Sequence, residues 1–148
     1  MKPLASAKVA GAIASALISS SAFATSVFIN EFHYDNDGGD VDEFIEIVAP
    51  EGTDLTDYSV VLYNGNNGAA YLTETLSGTV ASLGDGMGSY VINLPTNGIQ
   101  NGAPDGLALV DSNGQLIQFL SYEGSFTAVG GAADGITSVD IGIEETAS

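Results

Sequence analysis

From Val27 onward the apolar residues come in short runs broken by clusters of Gly, Asn and Asp, and no stretch keeps the spacing of an amphipathic helix. The pattern predicts an all-β chain. Val27 to Tyr34 sets Val27 and Ile29 against Phe28 and Phe32, and Glu43 to Val48 sets Phe44, Glu46 and Val48 against Ile45 and Ile47. Such period-two alternation belongs to strands with two unlike faces. The acidic loop Asp35 to Asp42 joins them. Tyr58 to Tyr63 differs, because Val60-Val61-Leu62 is continuously apolar and suits a strand buried on both faces. Further strands are predicted over Tyr71 to Val80, Tyr90 to Leu94 and, near the end, Ser138 to Ile143.

The clearest hairpin joins Gly106 to Val110 with Gln115 to Tyr122, since Asn113-Gly114 between alternating runs is a turn that matches the twist of antiparallel strands. Evenly spaced short strands without a long helix favour a β-sandwich over a barrel. Thr127 to Gly135 reads as a loop of small residues, and Glu144 to Ser148 as a tail without an apolar pattern.

The beginning of the chain has a different character. Lys2 and Lys8 precede an apolar stretch from Val9 to Phe23 rich in Ala and Ser, and Ala22-Phe23-Ala24 has the form of an A-x-A cleavage site. Residues 1–24 are therefore expected to be a signal peptide, and residues 25–148 a single exported domain. The apolar stretch is too short for the roughly 20 apolar residues of a membrane span.

Charge sharpens this picture. The chain has 19 acidic and two basic side chains, and both Lys lie in the leader, so the expected mature domain has no Lys or Arg at all. Nucleic-acid binding draws on cations that neutralise phosphates, so direct binding of DNA or RNA is not expected, nor is docking to anionic lipid. With no Cys there are no disulfides and no thiol chemistry, and packing alone must hold the fold unless metal ions assist.

The inventory for catalysis is poor. One His, no Cys and no mature Lys or Arg exclude a Cys–His pair, an arginine clamp and a lysine cradle. His33 is the single conventional base and is read as a hydrogen-bonded structural residue, because no motif supplies a nucleophile. Paired carboxylates are abundant, so a carboxylate-based glycosidase is an alternative, although the chain has no Trp to build a sugar platform. Gly84, Gly86 and Gly88 suggest a phosphate cradle, but no P-loop Lys follows, and a turn between strands is the better account.

The densest acidic segment runs from Asp35 to Glu43 and offers Asp35, Asp37, Asp40 and Asp42 as candidate Ca²⁺ ligands on a Gly-containing loop. An EF-hand that starts at Asp35 fails, because Asp40 takes the sixth position where the sharp turn needs Gly. A looser Ca²⁺ site competes with a solvated hairpin loop, for which Asp, Asn and Gly are the ordinary residues. No cofactor is required on either reading.

Three segments together resemble the opening of lamin tail domains: Phe28-Ile29-Asn30-Glu31-Phe32, then Asp42-Glu43-Phe44-Ile45-Glu46-Ile47, then Asp54-Leu55-Thr56-Asp57-Tyr58-Ser59-Val60. Val61 to Gly68 and Asp105 to Val110 are similar to the bacterial branch of that family, whose modules precede a nuclease domain of the endonuclease/exonuclease/phosphatase type. The resemblance spans about residues 27–143 and implies an immunoglobulin-like antiparallel β-sandwich. Tyr58-Ser59 stands where Gly-Trp is commoner, and the family's closing strand is not visible before Ser148, which fits a chain that lacks its last strand or a shortened product.

The resemblance transfers no catalytic residues and gives Asn30 and Glu31 the task of tying strand ends. It implies a non-catalytic accessory module that aids export, surface retention or positioning, with a downstream nuclease domain or another protein as partner. A Ca²⁺-dependent adhesive or matrix-binding sandwich is the alternative, ahead of the glycosidase.

Overall fold

A computed structural model describes residues 27–145, so the expected leader, its cleavage site and Thr146 to Ser148 lie outside the described residues. Two sheets pack face to face as a β-sandwich, and the described residues include no helix. The strands are β1 (Phe28–His33), β2 (Phe44–Pro50), β3 (Ser59–Asn64), β4 (Ala69–Thr75), β5 (Ala81–Gly84), β6 (Met87–Asn93), β7 (Asp105–Val110), β8 (Leu116–Tyr122) and β9 (Val139–Asp140). One sheet has the order β1-β2-β6-β5 and the other β4-β3-β7-β8-β9. Every pairing is antiparallel except that of β8 with β9, which is parallel.

The alternation along the chain sets which side chains meet. Ile45 and Ile47 of β2 face Leu107 and Leu109 of β7 through a core that also holds Val60, Leu62 and Leu55, all essentially inaccessible. Each of these aliphatic side chains contributes about 1.5–3 kcal/mol by leaving water. The continuous run in β3 is buried on both sides, as expected: Val60 and Leu62 enter the inter-sheet core, while Val61 and Tyr63 join a second cluster on the outer face. That face is covered by the excursion between β8 and β9, from which Phe126, Ala128 and Ala133 pack onto Val61, Tyr63, Ala108 and Phe119. The segment read as a small-residue loop is therefore a lid, and its small residues permit close approach.

Three expectations about local structure change. The strand predicted to continue to Val80 ends at Thr75, because Leu76 turns into the core and Gly78 adopts a φ of +86°. Ala81–Gly84 forms a strand where none was expected; all four residues are exposed, so no alternation marks it. The Asn113-Gly114 hairpin exists, but Gly114 alone takes a positive φ, and its N–H donates to the Asp111 carbonyl. The loop is thus a type I turn closed by a left-handed glycine, with a register shift at Val110, and not a two-residue primed turn. Asp111 Oδ1 accepts the N–H groups of Asn113 and Gln115, both at 2.8 Å, which favours this longer loop and holds the Asp111 carboxyl below its usual pKa.

Candidate functional site

The acidic loop between β1 and β2 is tied down by its own side chains. Asp40 is buried: its Oδ1 accepts the Asn36 N–H at 3.1 Å and its Oδ2 accepts from Asn101 Nδ2 at 3.3 Å. Its backbone N–H and carbonyl bond to Asn97 Oδ1 and the Asn97 N–H, so the loop is joined to the segment after β6. Asn36 Oδ1 in turn accepts the Val41 N–H at 2.7 Å.

The four candidate Ca²⁺ ligands part company in this arrangement. Asp35 and Asp37 line an open hollow of about 500 Å³ with His33 and Glu145. Asp40 faces a different depression, shared with Asp105, Asn97 and Asn101, and Asp42 is exposed with a φ of +59°. Among the described residues no three His, Asp or Glu side chains converge in a way that holds a metal ion.

His33 has two partners, neither a nucleophile. Its Nδ1 lies 3.1 Å from Glu145 Oε1, and its Nε2 lies 2.9 Å from Asn36 Nδ2. The Glu145 carboxylate raises the imidazole pKa above 6.5 and outweighs the opposing effect of burial. Glu145 also accepts the N–H groups of Tyr34 and Asp35, each at 2.8 Å through Oε2, and its own N–H donates to the Tyr34 hydroxyl at 2.8 Å. One glutamate thus straps the C-terminal segment across the end of β1, a role that the unpatterned tail did not announce.

Two buried carboxylates hold backbone. Glu43, 1% exposed, accepts the Gly98 N–H at 2.7 Å and the Ile99 N–H at 2.8 Å. Asp105 accepts the N–H groups of Gly65 and Gly102 at 2.8 Å each, and burial raises its carboxyl pKa. Tyrosines behave likewise. The Tyr71 hydroxyl accepts the Gln100 N–H at 2.9 Å and the Tyr122 hydroxyl donates to the Gln100 carbonyl, so one loop is fixed from both sides. Burial pushes the hydroxyl of Tyr71 up to about 12, and that of Tyr34 also to about 12, which keeps both neutral at ordinary pH. Gly84 and Gly86 belong to the β5–β6 hairpin, where Asp85 and Gly86 both take positive φ, and Gly88 lies in β6. A strand follows this turn, where a phosphate cradle would need a helix.

A further concave feature lies at one edge of the sandwich, between β1 and the segment that follows β9. A cleft of about 450 Å³ is lined by Ile29, Phe32 and Tyr34 on one side and by Leu120, Ile141 and Ile143 on the other. Three acidic or amide side chains, Asn30, Glu31 and Glu145, complete its rim. Next to it, across Ile143, a smaller notch of about 240 Å³ is lined by Glu123, Asp140 and Glu144. Along this edge Val139 is 65% and Ile143 62% exposed, with Ile141 partly exposed between them. The possible strand Ser138 to Ile143 is a strand only over Val139–Asp140, and the parallel pairing of β9 with β8 brings the residues that follow it beside β1.

The geometry therefore offers an open apolar cleft with an acidic border, in a domain whose buried ionisable groups are occupied with backbone. No helix among the described residues is long and apolar enough to cross a membrane. No family model matches the chain, nor does any curated protein or solved structure.

Proposed function

We propose that the chain is a non-catalytic interaction module of an exported protein, of the immunoglobulin-like lamin-tail type, that helps to export, retain or position a nuclease. The observation that carries the reading is how the functional groups are distributed. Glu43, Asp105 and Asp40 spend their carboxylate oxygens on loop backbone and amides, whereas the exposed apolar side chains Val139, Ile141 and Ile143 gather at an open edge. Hydrolysis needs a free base and a nucleophile, and binding needs accessible apolar surface with specific polar groups.

The nuclease association rests on the sequence resemblance alone, whose three motifs fall within one sandwich. The first two motifs form the paired strands β1 and β2, where Asn30 Nδ2 donates to Glu46 Oε1 at 2.8 Å. The third makes a corner in which Asp54 Oδ1 accepts the Thr56 N–H at 2.9 Å, while Leu55 is buried in the same core. Absence of Lys and Arg after the leader argues against a direct role at the phosphodiester.

The test is a plasmid-nicking and gel-shift assay at low salt with Mg²⁺, Mn²⁺ and Ca²⁺ supplied in turn. Neither cleavage nor retardation is expected. Cleavage that copurifies with the chain and disappears in Asp37→Asn or Asp42→Asn would overturn the reading. Sequencing the gene beyond Ser148 tests the association, which an in-frame nuclease domain supports.

A further inference from the structure

We infer that the edge cleft and its neighbouring notch form a docking site for an extended segment of a partner protein that carries a branched apolar side chain two residues from a Lys or Arg. The inference rests on the interaction-module reading and adds the chemistry of the partner. Two cavities that differ in character share one wall: the cleft is mostly apolar, the notch is bounded by the carboxylates of Glu123, Asp140 and Glu144, and Ile143 lines both. A ligand that spans them must present an apolar and a cationic group on the same face, which residues i and i+2 of an extended chain do, since successive side chains point to opposite faces.

Charge complementarity selects the sign. Glu31 and Glu145 also line the cleft, and no Lys or Arg occurs among the described residues to neutralise any of the five carboxylates. Three of them are partly engaged within the domain, Asp140 Oδ1 by the Gly142 N–H at 2.9 Å. Glu145 is used by His33 and by the Tyr34 and Asp35 amides, and Glu123 Oε1 accepts from the Tyr34 hydroxyl at 3.0 Å. These bonds fix the floor in place, so the site is preorganised, while Glu31 and Glu144 remain exposed to meet a cation. Acidity alone attracts any polycation to this domain, but the apolar wall of Leu120, Ile141 and Ile143 distinguishes one cationic segment from another.

The experiment uses fluorescein-labelled heptapeptides of sequence Gly-Lys-Ser-Leu-Ser-Lys-Gly, whose Lys, Leu and Lys share one face (the Lys-Leu-Lys peptide), with analogues carrying Gly in place of Leu or Glu in place of both Lys, titrated with the exported domain by fluorescence anisotropy. The Leu-to-Gly exchange is expected to weaken binding about tenfold, the loss of one buried aliphatic side chain. The Glu peptide is expected not to bind. Ile143→Ser lies at an exposed position and leaves folding intact; it should weaken the Lys-Leu-Lys peptide about tenfold and leave the Gly analogue unaffected. Glu144→Gln should weaken both cationic peptides about threefold at low salt, an effect that screening removes at high salt.

Asp85→Asn, in the turn beyond β5 at the opposite edge of the first sheet, should leave every affinity unchanged. Equal binding of the Leu and Gly peptides, equal effects of Ile143→Ser and Asp85→Asn, or no binding of the Lys-Leu-Lys peptide at millimolar concentration would each overturn the inference. Failure here leaves DNA untouched by the chain, whereas failure of the module reading appears as cleavage in the nicking assay, so the two are distinguishable.

Discussion

Replacing Glu43 by Gln changes one oxygen into an amide and keeps the shape, which isolates what the second carboxylate oxygen contributes. In the wild-type protein both oxygens are used, by the N–H groups of Gly98 and Ile99, in a site that is 1% exposed. The backbone carbonyl of Glu43 also accepts the Leu94 N–H at 2.9 Å, so this residue joins the start of β2 to the whole turn after β6. In the Gln variant one backbone N–H must face an NH₂ group and loses its acceptor, whichever way the amide turns. A hydrogen bond to a charged group contributes about 1.5–3 kcal/mol, and the relief of a buried charge offsets part of its loss.

The expected destabilisation is about 2 kcal/mol for Glu43→Gln, and about 3–5 kcal/mol for Glu43→Ala, which abandons both amides and leaves a cavity. Urea unfolding followed by circular dichroism at neutral pH measures both; the chain has no Trp, and the slope against urea should not change. Hydrogen exchange gives the local readout. One of the Gly98 and Ile99 amides should lose protection in the Gln variant and both in the Ala variant. A Gln variant within about 0.5 kcal/mol of wild type, with both amides still protected, would refute the clamp.

Gly65→Ala should destabilise the domain by about 3 kcal/mol or prevent folding, because the added Cβ lies 2.0 Å from the Pro104 carbonyl oxygen and 2.8 Å from Phe126 Cδ1. Gly39→Ala meets nothing within 4 Å and should stay within about 0.5 kcal/mol of wild type, so thermal melts of the pair test the packing argument. The His33–Glu145 pair should stabilise at mildly acidic pH. Its raised imidazole pKa means that the gain is fully present below 6.5 and is lost as pH rises through the folded-state value. Stability curves of wild type and Glu145→Gln should therefore converge toward alkaline pH by up to about 1 kcal/mol, leaving a constant difference from the lost Tyr34 and Asp35 contacts. Asp40→Asn should lower stability by about 1 kcal/mol in chelator-treated protein, since Oδ1 accepts from Asn36 and Oδ2 from Asn101; an unchanged melt would remove Asp40 from the loop's support.

Much of the architecture was legible because strand burial leaves a local, period-two trace. The alternation around Ile45 and Ile47 and the continuous Val60-Val61-Leu62 each state how many faces are covered, and the structure agrees on both. What covers the second face of β3 was not legible, because Phe126, Ala128 and Ala133 are far along the chain and small residues carry no periodic signal. β5 was invisible for the opposite reason: with every side chain in water, its only constraint is backbone pairing to β6.

The candidate site divides in the same way. The acidic residues of the Asp35–Asp42 loop stood out by type and spacing, yet side-chain type does not say where an oxygen points, and the fold turns Asp40 inward while leaving Asp42 in solvent. Glu43 and Asp105 looked like two carboxylates among 19, and became clamps only when distant loops presented their amides. The edge cleft depends on β9 pairing with β8 and on Glu145 reaching Tyr34 across a separation of 111 residues. Local pattern determines which residues leave water; only chain closure over such separations determines which of them meet, since each contact there depends on others already formed.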